Sequence, residues 1–510
     1  MLSFSRNRRA AVAWTLVLFT LTLLMTAEAA TAASSDKSAQ TNSSSKPNAA
    51  VVGSWGSPIQ LGTIAIHAAL LHTNQVLAWW YPLGTAVNSP AKLIDLATGN
   101  ITDVTIPFPG DFFCSGVTIL EDGRVLVTGG LNGNPFPGVP DKGIPLTAIF
   151  DPATQTWSPG ANMFNARWYP SNVELNTGKV LTLTGKNATA TGIVTQMEEY
   201  NYKTNTWATL PASANIPTTS DTYLKLKVLP SGKIFMAGAT SKTMLFSQAT
   251  NRWVPMGTLN FGNRYHGAAV LLPGFGLQRV LTAGGTQTYP GGGATATAEM
   301  IDFSQTTPSW QYVAPMNIPR YNANLVILAD GTLLEVGGAQ TKKYSTPVTI
   351  PEQYDPVANT WTEMATEPNP RTYHSTAMLL PDGTVFAGGS DDPANMVAGM
   401  QYEIFSPPYL FKGARPTITT APTNLGYNQQ FTITTPDAAS ITRVAMIRPS
   451  AVTHDDDFDQ RYVDLTFTVG NGQITATSPL TSNYAPPGYY MLVIVNSSGV
   501  PSVMPFLQIK

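Results

Sequence analysis

Residues 120–130 read LEDGRVLVTGG, an Asp-Gly turn followed by a β-branched apolar run that stops at a glycine pair. Asp-Gly between apolar stretches is a hairpin signal, and Val, Leu and Thr suit a buried strand. The same segment recurs as LLHTNQVLAWW from Leu70, LNTGKVLTLTG from Leu175 and LPSGKIFMAG from Leu229. It returns as QRVLTAGG from Gln278, LADGTLLEVGG from Leu328 and LPDGTVFAGG from Leu380. Its first strand aliphatics are Val76, Val125, Val180, Ile234, Val280, Leu333 and Val385, spaced 49, 55, 54, 46, 53 and 52 residues apart. Self-similarity at such a period is the signature of a repeat architecture.

The rest of each unit repeats as well. FDPATQTW ends at Trp157, YNYKTNTW at Trp207, FSQATNRW at Trp253, IDFSQTTPSW at Trp310 and YDPVANTW at Trp361, each a strand, a polar turn and a tryptophan at one phase. Each unit therefore supplies about four antiparallel strands, and a period near 50 residues is that of a kelch-type blade. Seven such blades arranged radially leave few exposed sheet edges. The expected fold is all-β: a seven-bladed propeller over residues 51–411, closing with QYEIFSPPYLF at Gln401 to Phe411. From residue 412 to 510 the glycine pairs vanish but short alternating strands persist, as in FTITT from Phe431 and YYMLVIVN from Tyr489. A stretch of that length and pattern suits a β-sandwich.

Composition agrees. Charged residues are 12% of the chain, while Gly (42) and Pro (40) are abundant, which favours short strands joined by turns over long helices. A formal net charge of −2, with no long basic run after the N-terminus, gives no electrostatic support for a nucleic-acid partner. At the N-terminus Arg6, Arg8 and Arg9 precede an uncharged apolar run from Ala10 to Met25, followed by Ala27-Glu28-Ala29 and Ala30-Thr31-Ala32. Residues 1–33 thus read as a signal peptide, placing the mature chain outside the cell or in the periplasm or cell envelope, with no membrane span unless the signal stays uncleaved. Residues 34–50, rich in Ser, Asn and Lys, read as a flexible linker.

The repeat also serves as a ruler. Eleven positions before the strand aliphatic stand Cys114, Tyr169, Tyr223, Asn322 and His374, and the matching motif of the fifth unit places His266 there. Equal register in a radial array means equal height at the axis, so a lone thiol, several phenols and imidazoles are expected at one mouth. Imidazole and phenolate suit copper(II). From spacing alone each residue also has a structural reading. Cys114 is a buried small hydrophobe, a tyrosine packs its ring and bonds its hydroxyl, and His67, His72 and His266 are satisfied polar residues. His454 sits in THDDDFDQR, which reads equally as an acidic surface loop.

Five segments resemble the galactose oxidase and glyoxal oxidase family of copper radical oxidases: DFFCSG at Asp111, ARWYPS at Ala166, RTYHSTAMLLPDG at Arg371, RPSAVTHDDDFDQR at Arg448 and PPGYYMLVIVNSSGVPS at Pro486. They fall in the family's order and cover the chain from about Val51 onward. The resemblance implies an immunoglobulin-like, early-set (E-set) sandwich at the C-terminus and one copper per chain. It implies a Cys114–Tyr169 thioether radical cofactor, with Tyr169, His374 and His454 as equatorial ligands and Tyr373 as axial ligand and general base. It implies a small-molecule aldehyde, as its hydrate, or a primary alcohol, oxidised with reduction of O2 to H2O2. Trp168, just before Tyr169, leans toward the glyoxal oxidase side. Tyr223, Arg264 and His266 are candidates for the substrate pocket. The competing reading is a non-catalytic kelch propeller that binds carbohydrate or protein in the cell envelope.

Overall fold

In the second repeat, the stretch that opens the sequence argument becomes a four-stranded antiparallel meander. Its strands are Gly116–Ile119, Val125–Thr128, Thr147–Asp151 and Thr156–Pro159. The turn between the first two works as its residues require. Gly123 takes φ 88°, its N–H donates to the Leu120 carbonyl at 2.8 Å, and Asp122 accepts from the Arg124 amide at 3.2 Å. The two inner strands are buried at every position, whereas in the outermost only Trp157 is buried. The inner strands are therefore apolar runs, and the outer one alternates. The computed structural model describes residues 48–82, 86–132, 142–189, 192–217, 220, 222–289 and 292–510. Among them seven such blades follow one another, and a two-sheet sandwich follows the seventh.

Two repeated devices fasten blade to blade. The tryptophan that ends each repeat reaches back to the preceding blade. The Trp157, Trp207, Trp253 and Trp361 indoles donate to the carbonyls of Val104, Ala161, Ala214 and Ala314 at 2.7 to 2.9 Å, and Trp310 donates to Thr243 Oγ1 at 3.1 Å. Each indole thus satisfies its own buried N–H while filling the seam. The glycine pairs serve the other side of the seam. A Cβ on Gly129 would stand 2.4 Å from the Arg167 carbonyl oxygen, and one on Gly337 would stand 2.2 Å from that of Arg371. Only glycine allows the next blade's backbone so close.

The ring is closed by residues the repeat pattern did not mark. Ser54–Trp55 pairs with Gln401–Ser406 and becomes the outer strand of the seventh blade. The Trp55 indole donates to the Ala365 carbonyl at 2.8 Å, the same lock at the same phase. Asn48 to Ala50, placed at the end of the flexible linker, belong instead to a capped helical turn, Ala49–Val52, in which the Asn48 side chain accepts from the Ala50 amide. The rest of the linker and residues 1–33 lie outside the described residues. Among the described residues no helix is long and apolar enough to cross a membrane.

The C-terminal sandwich sets a five-stranded sheet against Gln430–Thr434, Phe467–Gly470 and Gln473–Thr477. Between its strands Ile441–Arg448 and Arg461–Asp464 the chain leaves the sandwich. Ala451–Thr453 pairs antiparallel with His67–Leu71, adding a strand to the inner edge of the first blade. THDDDFDQR is thus a buried plug and no surface loop, and its polarity has a structural cause. Inner strand edges carry unpaired amides and carbonyls, and the plug pairs them. Asp459 accepts from Thr118 Oγ1 and the Ile119 amide, both at 2.6 Å. Gln460 bonds the Leu325 carbonyl and the Ile327 amide at 2.7 and 3.0 Å.

Candidate metal centre

In five of the seven blades the start of the innermost strand carries one non-glycine residue with left-handed backbone. These are Cys114 (φ 52°), Tyr169 (64°), His266 (53°), Asn322 (58°) and His374 (65°), and His454 on the plug has φ 62°. Non-glycine residues rarely adopt this region, and strain of this kind gathers at functional sites. The kinks are tied from blade to blade: the Tyr169 amide donates to the Cys114 carbonyl and the Asn322 amide to the His266 carbonyl, each at 2.9 Å. The Cys114 amide donates to His67 Nε2 at 3.1 Å, and the His67 ring stacks on Trp79 at 4.9 Å. His67 is therefore a support for Cys114, and His72 stacks on Tyr489, far from this set in role.

The kinks bring five residues from distant segments together at the axis. His454 Nε2 lies 3.0 Å from the Tyr169 hydroxyl and 3.3 Å from Cys114 Sγ. The Tyr169 and Tyr373 hydroxyls meet in a short hydrogen bond. The His374 and His454 rings stand edge to face at 4.3 Å, and ligand atoms of Cys114, His374 and His454 lie within 4.8 Å of one another. All five residues are at most 5% exposed.

The donor set fits copper. His374 Nε2 is buried without a partner, and the His454 Nδ1 atom is taken by Thr453 Oγ1 at 2.7 Å, which leaves Nε2 to face the phenols. Two imidazole nitrogens and two phenol oxygens at one point are an N/O set of the kind copper(II) takes in tetragonal geometry. Burial, then the neighbouring His374, His67 and His266, hold His454 well below the ordinary imidazole pKa, so it stays neutral and able to ligate. Burial pushes Tyr169, Tyr373 and Cys114 well above their ordinary values. Without a cation these groups keep their protons; a bound metal ion reverses that preference.

Two supporting residues carried no signal in the repeat reading. Asp391 Oδ1 lies 2.8 Å from His374 Nδ1, and the Tyr344 hydroxyl donates to the same oxygen at 2.7 Å. Asp391 follows the seventh blade's Gly388-Gly389 pair, in a loop that the strand period does not mark. Tyr344 sits where the sixth blade's long strand Leu333–Lys342 turns into the extra strand Ser345–Pro347.

Tyr169 and Tyr373 also face a cleft of about 510 Å3, whose walls include Trp168, Lys186, His266, Tyr289 and Lys343. Lys343 Nζ stands 4.0 Å from the Tyr373 ring centroid. Trp168 meets Tyr169 edge to face at 4.5 Å, and Tyr223 covers another side at 4.8 Å.

Of the three candidate pocket residues, His266 alone stands in the cleft wall. Tyr223 lies beneath Tyr169 with its hydroxyl donated to the Ser115 carbonyl at 2.8 Å. Arg264 is one of four equivalent buried arginines. Arg167–Glu198, Arg264–Glu299 and Arg320–Glu352 are ion pairs at 2.7 Å, Arg371–Glu403 is a fourth, and every member is 0 to 1% exposed at its side chain. Arg264, Arg320 and Arg371 also donate to Gly284, Gly337 and Gly389 carbonyls of the glycine pairs. The guanidinium of Arg264 is thus spent on holding its own blade: this arginine, two residues before the kink in three blades and three before it at Arg371, points into the blade and not toward the axis.

Comparison with known proteins adds an independent line. Residues 87–409 match the family model described as glyoxal oxidase N-terminus, and residues 415–509 match that of the galactose oxidase-like early set domain. The chain is 30% identical over 496 residues to a galactose oxidase of Gibberella zeae, covering 90% of this chain and 71% of the relative. It is 27% identical over 468 residues to the aldehyde oxidase GLOX of Vitis pseudoreticulata, covering 82% and 85%. A solved fungal alcohol oxidase of the AA5 family, in complex with copper, superposes with a TM-score of 0.79 at 28% identity, over 90% of this chain and all of that one.

Proposed function

This chain belongs to the family of glyoxal oxidase and galactose oxidase, and from that membership we propose that it is a copper radical oxidase of aldehyde hydrates or primary alcohols. The observation that carries the reading is the meeting of His374, His454, Tyr169 and Tyr373 around one point with Cys114 beside them. His374 Nε2, His454 Nε2 and the Tyr169 and Tyr373 oxygens would hold the ion. Copper, when bound, supplies one of two one-electron acceptors and acidifies a hydroxyl brought to it. The other acceptor is the Tyr169 ring. A thioether to Cys114 donates electron density to that ring and eases its oxidation.

The protein's part is to bind, orient and move protons. Tyr373 takes the substrate's hydroxyl proton as general base. The oxidised Tyr169 takes a hydrogen atom from the substrate carbon, so that substrate loses two electrons and two protons, and O2 gains both to become H2O2. Trp168 and Tyr223, packed on Tyr169, keep bulk water from the ring. A kelch propeller that merely binds carbohydrate or protein has no use for a buried thiol beside two phenols and two neutral imidazoles. Export through the N-terminal signal places the oxidase outside the cell, in keeping with a peroxide product.

Intact mass measured after copper treatment tests the reading. In air, wild type loses two hydrogens to O2 as the Cys114–Tyr169 bond forms, and Cys114→Ser loses none and yields little peroxide from aldehydes or primary alcohols. An unchanged wild-type mass, with no copper retained, sinks it.

A further inference from the structure

His266 is 3% exposed and stands in the cleft wall between two phenols, its ring centroid 4.1 Å from that of Tyr289 and 5.7 Å from that of Tyr373. Its two nitrogens differ. Nδ1 lies 2.9 Å from Asp455 Oδ1, and Nε2 is buried with no partner in the protein. The other Asp455 oxygen accepts from Lys225 Nζ at 2.7 Å, and both side chains of that ion pair are 2% exposed. An ion-paired carboxylate only accepts hydrogen bonds, so His266 donates from Nδ1, and in the neutral ring Nε2 carries the lone pair that faces the cleft. A buried acceptor left unmatched is costly, so the arrangement anticipates a donor.

The chemistry of the two substrate classes supplies one. At the reacting carbon a primary alcohol carries a single hydroxyl, whose proton goes to Tyr373. A hydrated aldehyde carries a second hydroxyl, which has a proton to donate and needs an acceptor. Lys186 and Lys343 in the cleft are donors only, and of its buried acceptors without a partner the Tyr289 hydroxyl can donate as well as accept, whereas His266 Nε2 in the neutral ring only accepts. Building on the oxidase reading above, we propose that His266 Nε2 accepts the second hydroxyl of an aldehyde hydrate, making His266 the residue that sets the preference for hydrated aldehydes over primary alcohols. Asp455 and Lys225 are its positioning residues: they fix the tautomer and the ring.

His266→Asn is a suitable probe, because Asn322 holds the same register with the same left-handed backbone (φ 58° against 53°). The shorter amide can still donate to Asp455 but offers no acceptor where Nε2 was. His266→Gln returns a carbonyl toward that place. Copper-loaded wild type and both variants, with metal content matched, are compared on an aldehyde and the primary alcohol of the same skeleton. The ratio of kcat/KM for aldehyde over alcohol falls about tenfold or more in His266→Asn, as expected for one lost hydrogen bond, and recovers in part in His266→Gln.

Calorimetric binding gives a readout without turnover. A trifluoromethyl ketone hydrate, which has no hydrogen on its carbinol carbon, binds wild type more tightly than the matching carbinol, and His266→Asn erases the difference. An unchanged ratio in an active His266→Asn enzyme overturns the assignment and leaves the oxidase reading standing, as does a Tyr289→Phe variant that alone collapses the ratio. A wild type that makes no peroxide from either substrate brings down both.

Discussion

At the scale of single residues, the imidazole of His374 shows how the site is held. Nε2 faces the phenols, and Nδ1 rests on Asp391, which is pinned by the Tyr344 hydroxyl. Burial by itself would raise the Asp391 pKa, yet His374 and Tyr344 hold it below the usual carboxylate value, so it remains an anion beside the ring. An anion there fixes the tautomer and makes Nε2 a better donor to a metal ion. Asp391→Asn is therefore expected to weaken copper binding by about 10- to 100-fold, measured by competition with a chelator. Wild-type affinity in that variant would remove Asp391 from the design. Tyr169 and His374 were readable from register because each sits at one phase of a repeat, whereas His454, on the plug, lies outside the repeats. Asp391 and Tyr344 act through other residues from loops, where no period marks them.

At the scale of the element, each blade is a strand meander whose inner end carries a burden. Glu335, on the second strand of the sixth blade, is buried with one carboxylate oxygen unpartnered, and burial pushes it up to about 8. Burial likewise pushes Asp111, which leads into the second blade, up to about 7. Both folded values lie above those of the unfolded chain, so up to these values the native state keeps protons that the unfolded state has lost, and stability falls as pH rises. The buried His67 and His454 act in the opposite direction, since their folded values are depressed and they favour the native state less as pH falls. Their effect ends near pH 6.5, where unfolded imidazoles stop binding protons. Between about pH 6.5 and 8 the carboxylates thus set the slope. Scanning calorimetry of the copper-free protein should show a lower Tm at pH 8 than at 6.5, and Glu335→Gln should reduce the difference. An undiminished slope in that variant would refute the assignment. The Arg–Glu pairs one layer out repeat in four blades, and their periodicity is what identifies Arg264 as structural.

At the scale of the whole molecule, two pieces of chain remote from the repeats complete the ring. Ser54–Trp55 supplies the last outer strand, and the plug from the sandwich supplies both His454 and the hydrogen-bonding groups that the inner strand edges need. The plug also joins the sandwich to the propeller through buried charge, with Arg448 paired to Glu174 at 2.5 Å and Arg461 donating to the Val228 carbonyl at 2.6 Å. A chain ending at Phe411 keeps every strand of the seven blades but loses this plug. It is expected to accumulate poorly in soluble form and to retain no copper, checked by solubility and metal analysis after purification. A soluble truncated chain with wild-type copper content would show that the plug is dispensable.

What the sequence determined by itself was whatever repeats. Turn chemistry, strand pattern, tryptophan phase and glycine pairs are local properties, and seven copies at one period dictate a radial array and a shared register. Membership of Cys114, Tyr169, His266 and His374 in one axial layer follows from that register without knowledge of any contact. Tertiary structure alone decided the rest. Whether an acidic segment coats the surface or fills a channel depends on unpaired strand edges contributed by other blades, which no local window contains. Whether Arg264 reaches a substrate or a glutamate depends on which way a kinked backbone turns its neighbour. Such directions are set by packing across seams between segments far apart in the chain, and hydrophobic period carries no record of them.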